Sequence, residues 1–259
     1  MAEDRGASNV GEEAGATRRS IRSDAVDLWL LPEHAVAAFA AERGGLALLT
    51  DEERARHERL RTAGARRRHL GARLLCRHAL SARTGRPPDG WRFRLGEFGR
   101  PEPEPECEGV RFNLSHTDGL IACVVTQDRA CGVDVERAPA DPASAGHLSR
   151  HFAAAERAEL AALEPAARHA RLSEVWVLKE SYLKALGTGM TRGLGGFRFR
   201  GPAAGRITVE DFEQPAGAGD RWWFDLLHPG PEHVLAVAVE HGRPGALRRT
   251  ELSPIPTGL

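Results

Sequence analysis

The chain has 259 residues, enough for one large domain or two small ones around a sizeable buried core, and its 41% hydrophobic and 6% aromatic residues with 28 glycines and 16 prolines exclude a fibrous or broadly disordered protein. Thirty-six basic residues balance thirty-six acidic ones, so no overall field favours nucleic acid or an anionic membrane, and any phosphate recognition has to be local. No apolar run approaches the roughly 20 residues that span a bilayer, and the N-terminus lacks the apolar centre of a secretory signal, so a cytoplasmic location is expected, with neither nucleic acid nor membrane as partner.

Residues 1–24 mix Gly, Ala, Ser and charge without periodicity and read as a mobile tail. Val26 to Leu31 reads as a strand, Glu33 to Arg43 as a short helix, and Thr50-x-x-Glu53 as a capping box opening another. A longer helix is expected from about Ala65 to Ala82, with Leu70, Leu74, Leu75 and Leu80 on a core stripe and Arg66, Arg67, Arg68, Arg73 and Arg77 among the other positions. Trp91 to Leu95 alternates as a strand, Pro101 to Glu108 is an acidic proline-rich loop, and Val110 to Leu114, Leu120 to Thr126 and Ala130 to Glu136 read as three further strands. Helical periodicity returns after Pro142, and a helix from about Ala166 to Leu186 ends at Gly187. Strands follow at Phe197 to Arg200, Arg206 to Val209, Trp222 to Leu227 and Val234 to Glu240.

Helices followed by short strands, twice over, make an α+β pattern. The expected halves are residues 25–137 and 138–245, with 246–259 as a C-terminal tail. Cys76, Cys107, Cys123 and Cys131 show no CxxC spacing and read as reduced thiols.

Three segments carry chemistry. In Gly132-Val133-Asp134-Val135-Glu136 the period of two puts both carboxylates on one strand face and both valines on the other, a pattern that a half-exposed strand also shows. In Trp176-Val177-Leu178-Lys179-Glu180-Ser181-Tyr182-Leu183-Lys184, residues Trp176, Glu180 and Lys184 share a helix face; an exposed i,i+4 pair would explain that equally well. The lysine inventory favours function: beside 34 arginines the chain has only two lysines, Lys179 and Lys184, six residues apart inclusive, where a compact ammonium is preferred to a guanidinium. Third, Phe112-Asn113-Leu114-Ser115-His116-Thr117 runs from a strand into a turn and offers donors to phosphate oxygens, although such turns are commonplace. Together these supply oxygen ligands for a metal, cations for phosphates and a base for a nucleophile, the requirements of magnesium-assisted phosphoryl transfer.

With FNLSHT, GVDVE and WVLKESYLKALGTG in this order and spacing, the chain resembles the 4'-phosphopantetheinyl transferases of the larger, surfactin-synthetase-activating type, over about Val26 to Glu240. The Gly99-Arg100-Pro101 turn and Phe152-x-x-x-Glu156 also look like family positions, although the turn more often carries lysine. The resemblance implies two similar α/β halves related by a pseudo-twofold, each with helices on a small antiparallel sheet and the active site in the cleft between them. It implies coenzyme A as substrate, an acidic acyl or peptidyl carrier protein as partner, Mg²⁺ (or Mn²⁺) as cofactor, and a monomer. Asp134, Glu136 and Glu180 match the metal-binding acids, Lys184 and His116 residues contacting phosphates, and Lys179 one near the phosphopantetheine. Asn113 and Ser115 fall on the cofactor loop, and Arg56 and Arg100 match basic positions near the 3'-phosphate and adenosine end. The Arg66 to Arg68 cluster would join that site, dock the carrier or be a solvated helix face.

The implied reaction is attack by a carrier serine on the β-phosphate of coenzyme A, with Lys184 and His116 balancing charge and Glu180 taking the serine proton directly or through a water. The rivals are another magnesium-dependent phosphotransfer enzyme and a noncatalytic Arg-rich binding module. No Walker-type glycine loop supports the first, and the balanced charge does not support the second.

Overall fold

The computed structural model describes residues 25–96, 99–104, 107, 109–139, 147–201, 206–241 and 247–252; the expected N-terminal tail lies outside them. Four layers stack in the order helix, sheet, sheet, helix. The first sheet has strand order β11-β1-β5-β4 and the second β6-β10-β9, from β1 (Val26–Pro32), β4 (Val110–Thr117), β5 (Leu120–Gln127), β6 (Cys131–Arg137), β9 (Trp222–Leu227), β10 (His233–Glu240) and β11 (Leu247–Glu251). Two ribbons, β2 (Arg92–Leu95) with β3 (Pro101–Glu104) and β7 (Phe197–Arg200) with β8 (Thr208–Asp211), complete an α+β architecture.

Strand periodicity assigns the layers. Val26, Leu28 and Leu30 of β1 and Leu120, Ala122 and Val124 of β5 face inward, where they meet Val133 and Val135 of β6 and Leu235, Val237 and Val239 of β10. The opposite face of the first sheet, with Leu31, Ile121, Cys123 and Val125, packs on α3 (Ala63–Thr84) through Leu74, Leu75 and Leu80. The opposite face of the second sheet, with Val234, Ala236 and Ala238, packs on the long helix Pro165–Leu186 through Val177, Leu178 and Leu183. Small α1 (Val36–Glu42), α2 (Asp51–Arg59) and α4 (Ala154–Ala161) flank these layers, and we number the long C-terminal helix α5.

Local chemistry sets the helix ends as the sequence suggests. Thr50 Oγ1 accepts from Glu53 N at 3.2 Å while Glu53 Oε2 accepts from Thr50 N at 3.1 Å, closing the capping box of α2. Gly187 ends α5 at φ 72°, a conformation that costs glycine little. The basic stripe expected on α3 is in part internal. Arg77 is fully buried, gripping Glu53 bidentately at 2.7 and 3.3 Å, and the buried Arg83 reaches Asp27 at 2.9 Å.

Three elements differ from expectation. The proline-rich loop contains β3, antiparallel to β2 with Phe93 opposite Pro103 and Leu95 opposite Pro101. Gly96 N donates to Arg100 O at 2.8 Å; alternation from that pair leaves both prolines at positions whose missing N–H would point away from β2, so neither costs a ladder bond. The segment expected to be a C-terminal tail forms β11, parallel to β1 from Val26–Leu247 to Leu30–Glu251, with Arg248 bound to Asp27 at 2.6 Å. Finally β6, which the sequence pattern groups with residues 25–137, pairs with β10 from Cys131–Val239 to Arg137–His233, so the hydrogen-bond ladder crosses the expected boundary.

Candidate active site

Because Val133 and Val135 enter the core between the sheets, the period of two turns Gly132, Asp134 and Glu136 toward α5. Close approach depends on Gly132: a Cβ there would lie 2.0 Å from Ser181 O and 2.6 Å from Ala185 N, backbone atoms of α5 that cannot step aside. This contact fixes the strand carrying Asp134 and Glu136 against the helix carrying Glu180 and Lys184.

β6 is an edge strand of its sheet, and its outward backbone groups are met by side chains instead of another strand. Asn113 Oδ1 accepts from Val133 N at 3.0 Å and Ser115 Oγ from Val135 N at 3.3 Å. Lys184 Nζ donates to Val133 O at 3.3 Å, and the Arg100 guanidinium to Cys131 O at 3.4 Å. Asn113, Ser115 and Thr117 alternate along β4, so they present one row of polar side chains to that edge.

Lys184 is the centre of the cluster. Its ammonium donates to Asp134 Oδ1 at 2.6 Å and to Ser115 Oγ at 3.1 Å, while Ser115 Oγ donates to Asp134 Oδ1 at 2.8 Å. The lysine therefore spans strand and helix rather than forming the simple surface pair that helical spacing also allowed. Glu136 accepts from Thr117 Oγ1 at 3.3 Å and from Trp176.

The acids are crowded. Desolvation first, then the negative charge of Asp134, raises the pKa of Glu136; desolvation, then Asp134 and in lesser degree Glu136, raises that of Glu180, opposed by Lys184. Asp134 Oδ2 and Glu180 Oε1 are buried without hydrogen-bond partners. Among the described residues no three His, Cys, Asp or Glu side chains close round one point as a complete metal cage. His116 reaches solvent from β4, yet the protein mass around it, followed among charges by Arg68, Lys184 and Arg73, lowers its pKa and favours neutral imidazole.

The structure thus brings Asn113, Ser115, Asp134, Glu136, Glu180 and Lys184 together, with His116 within electrostatic reach. It does not bring Lys179 to them. The Lys179 ammonium is fully buried on another face of α5, ion-paired to Glu156 Oε2 at 2.8 Å, donating to Leu194 O and Phe197 O at 2.8 Å each and lying 4.3 Å from the Phe197 ring centre. With those acceptors filled, Lys179 anchors α5 to α4 and β7. Arg100 is likewise engaged, donating to Lys184 O and Phe112 O at 2.9 Å each as well as to Cys131 O.

Arg56 stands apart on α2, exposed at the rim of a cavity of about 390 Å³ with Arg59, Arg73, His69 and Phe93. Motif patterns do not single out His69; its one signal in the sequence is its spacing with Ala72, Cys76 and Leu80, which puts an imidazole on the apolar stripe of α3. In the Arg66 to Arg68 cluster, Arg66 donates to Leu60 O at 3.1 Å, Arg67 pairs with Glu33 at 3.0 Å, and Arg68 pairs with both Glu33 and Asp118. Local acceptors account for these charges.

Buried acids, with an ammonium and an imidazole beside one strand edge, make a site suited to handling phosphate esters. The 4'-phosphopantetheinyl transferase superfamily signature matches residues 130–238, the stretch holding β6 and α5. A phosphopantetheinyl transferase of Thraustochytrium sp. is 32% identical over 232 residues, covering 84% of this chain and 79% of that protein. A 4'-phosphopantetheinyl transferase of Bacillus subtilis is 28% identical over 198 residues, covering 76% and 84% respectively, and the Sfp transferase of B. subtilis strain 168 is 25% identical with the same coverage. The chain belongs to the 4'-phosphopantetheinyl transferase superfamily.

Proposed function

We infer that the protein transfers the 4'-phosphopantetheine arm of coenzyme A to a serine hydroxyl of an apo acyl or peptidyl carrier protein, releasing 3',5'-ADP. The observation that carries this reading is the convergence of Asp134 and Glu136 on β6 with Glu180 and Lys184 on α5, inside the stretch that the family signature matches.

Asp134, Glu136 and Glu180 fit a divalent cation. Their donors are hard oxygens, two of those oxygens are buried without partners, and burial, then the charge of Asp134, raises the pKa values of Glu136 and Glu180, a cost that a cation would relieve. Since the three side chains do not enclose a point by themselves, phosphate oxygens of the substrate would complete the ligand set. Mg²⁺, or Mn²⁺, would there neutralise the pyrophosphate of coenzyme A.

The residues of the chain do the rest. Lys184, now held by Asp134, would exchange that carboxylate for a phosphate oxygen as the pyrophosphate enters, with His116 as a second donor on the same side. Glu180 takes the serine proton, burial making its carboxylate a stronger base than one in water. The serine oxygen then bonds to the β-phosphorus as the bond from that phosphorus to the bridging oxygen breaks. Asn113 and Ser115 act by fixing β6, and Arg56 would meet the adenosine end of coenzyme A. The partner implied by this reading is an acidic carrier protein, and all the residues named lie on one chain, so a monomer suffices.

The test is to incubate the purified protein with coenzyme A, Mg²⁺ and several apo carrier proteins and read intact masses. A gain of one phosphopantetheine is expected, lost on chelation and in Asp134→Ala with the circular dichroism unchanged. No gain on any carrier, or full turnover by Asp134→Ala, overturns the reading.

A further inference from the structure

His69 is buried, 8% exposed, and neither of its ring nitrogens has a hydrogen-bond partner in the protein. Buried imidazoles normally satisfy at least one nitrogen, because a desolvated polar atom without a partner is costly. The ring lines the 390 Å³ cavity at whose rim stand Arg56 and Arg59, neither with an ion-pair partner among the described residues. Arg73 lines it too, its Nε buried without a hydrogen bond and 3.8 Å from Glu53. Two carboxylates also line it: Glu53 is largely neutralised by its bidentate contact with Arg77 and by capping α2, and Glu52 is exposed to solvent in the first turn of α2, outnumbered by Arg56, Arg59 and Arg73. Phe93 and Leu95 of β2 supply an apolar side. Cations, an unsatisfied imidazole and an aromatic surface describe a receptor for a phosphate attached to a flat heterocycle.

Coenzyme A carries its pyrophosphate at the reacting end and one further phosphate on the ribose, beside the adenine. With Lys184 and His116 taking the former, the cavity matches the latter. We propose that His69 recognises the 3'-phosphate of coenzyme A, taking up a proton from solvent as the phosphate arrives and donating a hydrogen bond to one of its oxygens. This rests on the transfer reading above and adds a residue and a proton to it.

The electrostatics agree. Without ligand, burial first, then the positive charges of Arg73 on its own helix and of His57 and Arg56 on α2, hold the His69 pKa down to about 4, with Glu53 opposing; of β2, Phe93 and Leu95 line the cavity. A phosphate dianion in the cavity reverses that balance, so binding and protonation reinforce one another. The His57 ring centre is 5.7 Å from that of His69.

Calorimetric titration of coenzyme A and of 3'-dephospho-coenzyme A into the full chain, at about pH 6 in two buffers of different ionisation enthalpy, counts the protons exchanged. The 3'-phosphate releases some protons itself, so the informative quantity is the difference between the parent and His69→Gln, which keeps a hydrogen-bond donor but cannot titrate. The parent should take up more protons than the variant with coenzyme A, by a difference approaching one, and the two should match with the dephospho ligand. The affinity ratio of coenzyme A to its dephospho form should fall roughly tenfold in the variant. His69→Asn serves as second variant should glutamine disturb the fold, with the melting curve as check. Equal proton counts and equal ratios overturn the proposal. If the parent still modifies a carrier, only the role of His69 falls; if it modifies none, the transfer reading falls with it.

Discussion

Glu156→Ala removes one half of an ion pair whose members are 2% and 0% exposed, and its cost follows from the groups it leaves unpaired. Glu156 accepts from Lys179 at 2.8 Å, from Phe199 N at 2.9 Å and from Ala153 N at 3.1 Å, so the change strands a buried ammonium and two backbone N–H groups. Breaking a buried pair by deleting one partner costs about 3–5 kcal/mol, and the stranded N–H groups place this case toward the upper end. At about two to four degrees per kcal/mol for a chain of this size, Tm should fall by roughly 10 °C or more. Lys179→Met alone should cost a similar amount, whereas Glu156→Leu with Lys179→Met should recover much of it, because neither charge is then left unpaired. Urea denaturation of the parent, both single variants and the double variant, beside titration with coenzyme A, separates anchoring from ligand contact. A loss under about 1 kcal/mol in Glu156→Ala, or a Lys179→Met protein with parental stability and weakened coenzyme A binding, would refute the reasoning.

Gly132→Ala puts a Cβ 2.0 Å from Ser181 O, so β6 and α5 must part; carrier modification should fall about 100-fold with a stability loss of about 1–3 kcal/mol, and an unchanged rate would show that their spacing does not matter. Lys184→Arg keeps the charge but cannot place a planar fork where one ammonium meets Asp134, Ser115 and Val133, so most activity should disappear with little change in Tm; a folded, fully active variant would remove Lys184 from the mechanism. Because His69 has its folded pKa depressed to about 4 from 6.5, the unfolded chain binds its proton first as pH falls. Stability from this residue is therefore complete above about pH 6.5 and lost toward about pH 4, at most about 3 kcal/mol, and His69→Gln should flatten that limb of the urea-midpoint curve; an unaltered curve contradicts the assignment.

What could be read from the sequence was what depends on local spacing. VDLWLL, the Thr50 to Glu53 box, the glycine stop at Gly187 and the alternation in GVDVE are set by neighbours a few residues apart, and each stands in the structure where its pattern places it. What could not be read depends on partners far along the chain. Leu247–Glu251 lacks strand alternation and is a strand because β1 and Asp27 receive it. The pairing of β6 with β10 joins segments widely separated along the chain that no local pattern connects. Lys179 matches a family position near the phosphopantetheine, and its ion-pair partner, Glu156, lies on another helix.

Spacing is also silent on why the motif residues are polar. Asn113 and Ser115 were expected to offer donors to phosphate, yet both present oxygens to backbone N–H groups of β6, and Arg100, expected near adenosine, binds three carbonyls. β6, which carries Asp134 and Glu136, is an edge strand whose outward backbone groups no neighbouring strand satisfies. Side chains from β4, α5 and the Arg100 turn meet that need one group at a time. The FNLSHT segment therefore fixes the position of β6, with Asn113 on Val133 and Ser115 on Val135 and Asp134. The Ser115 hydroxyl touches Val135 N, Asp134 Oδ1 and Lys184 Nζ and so ties the strand edge directly to the charged cluster.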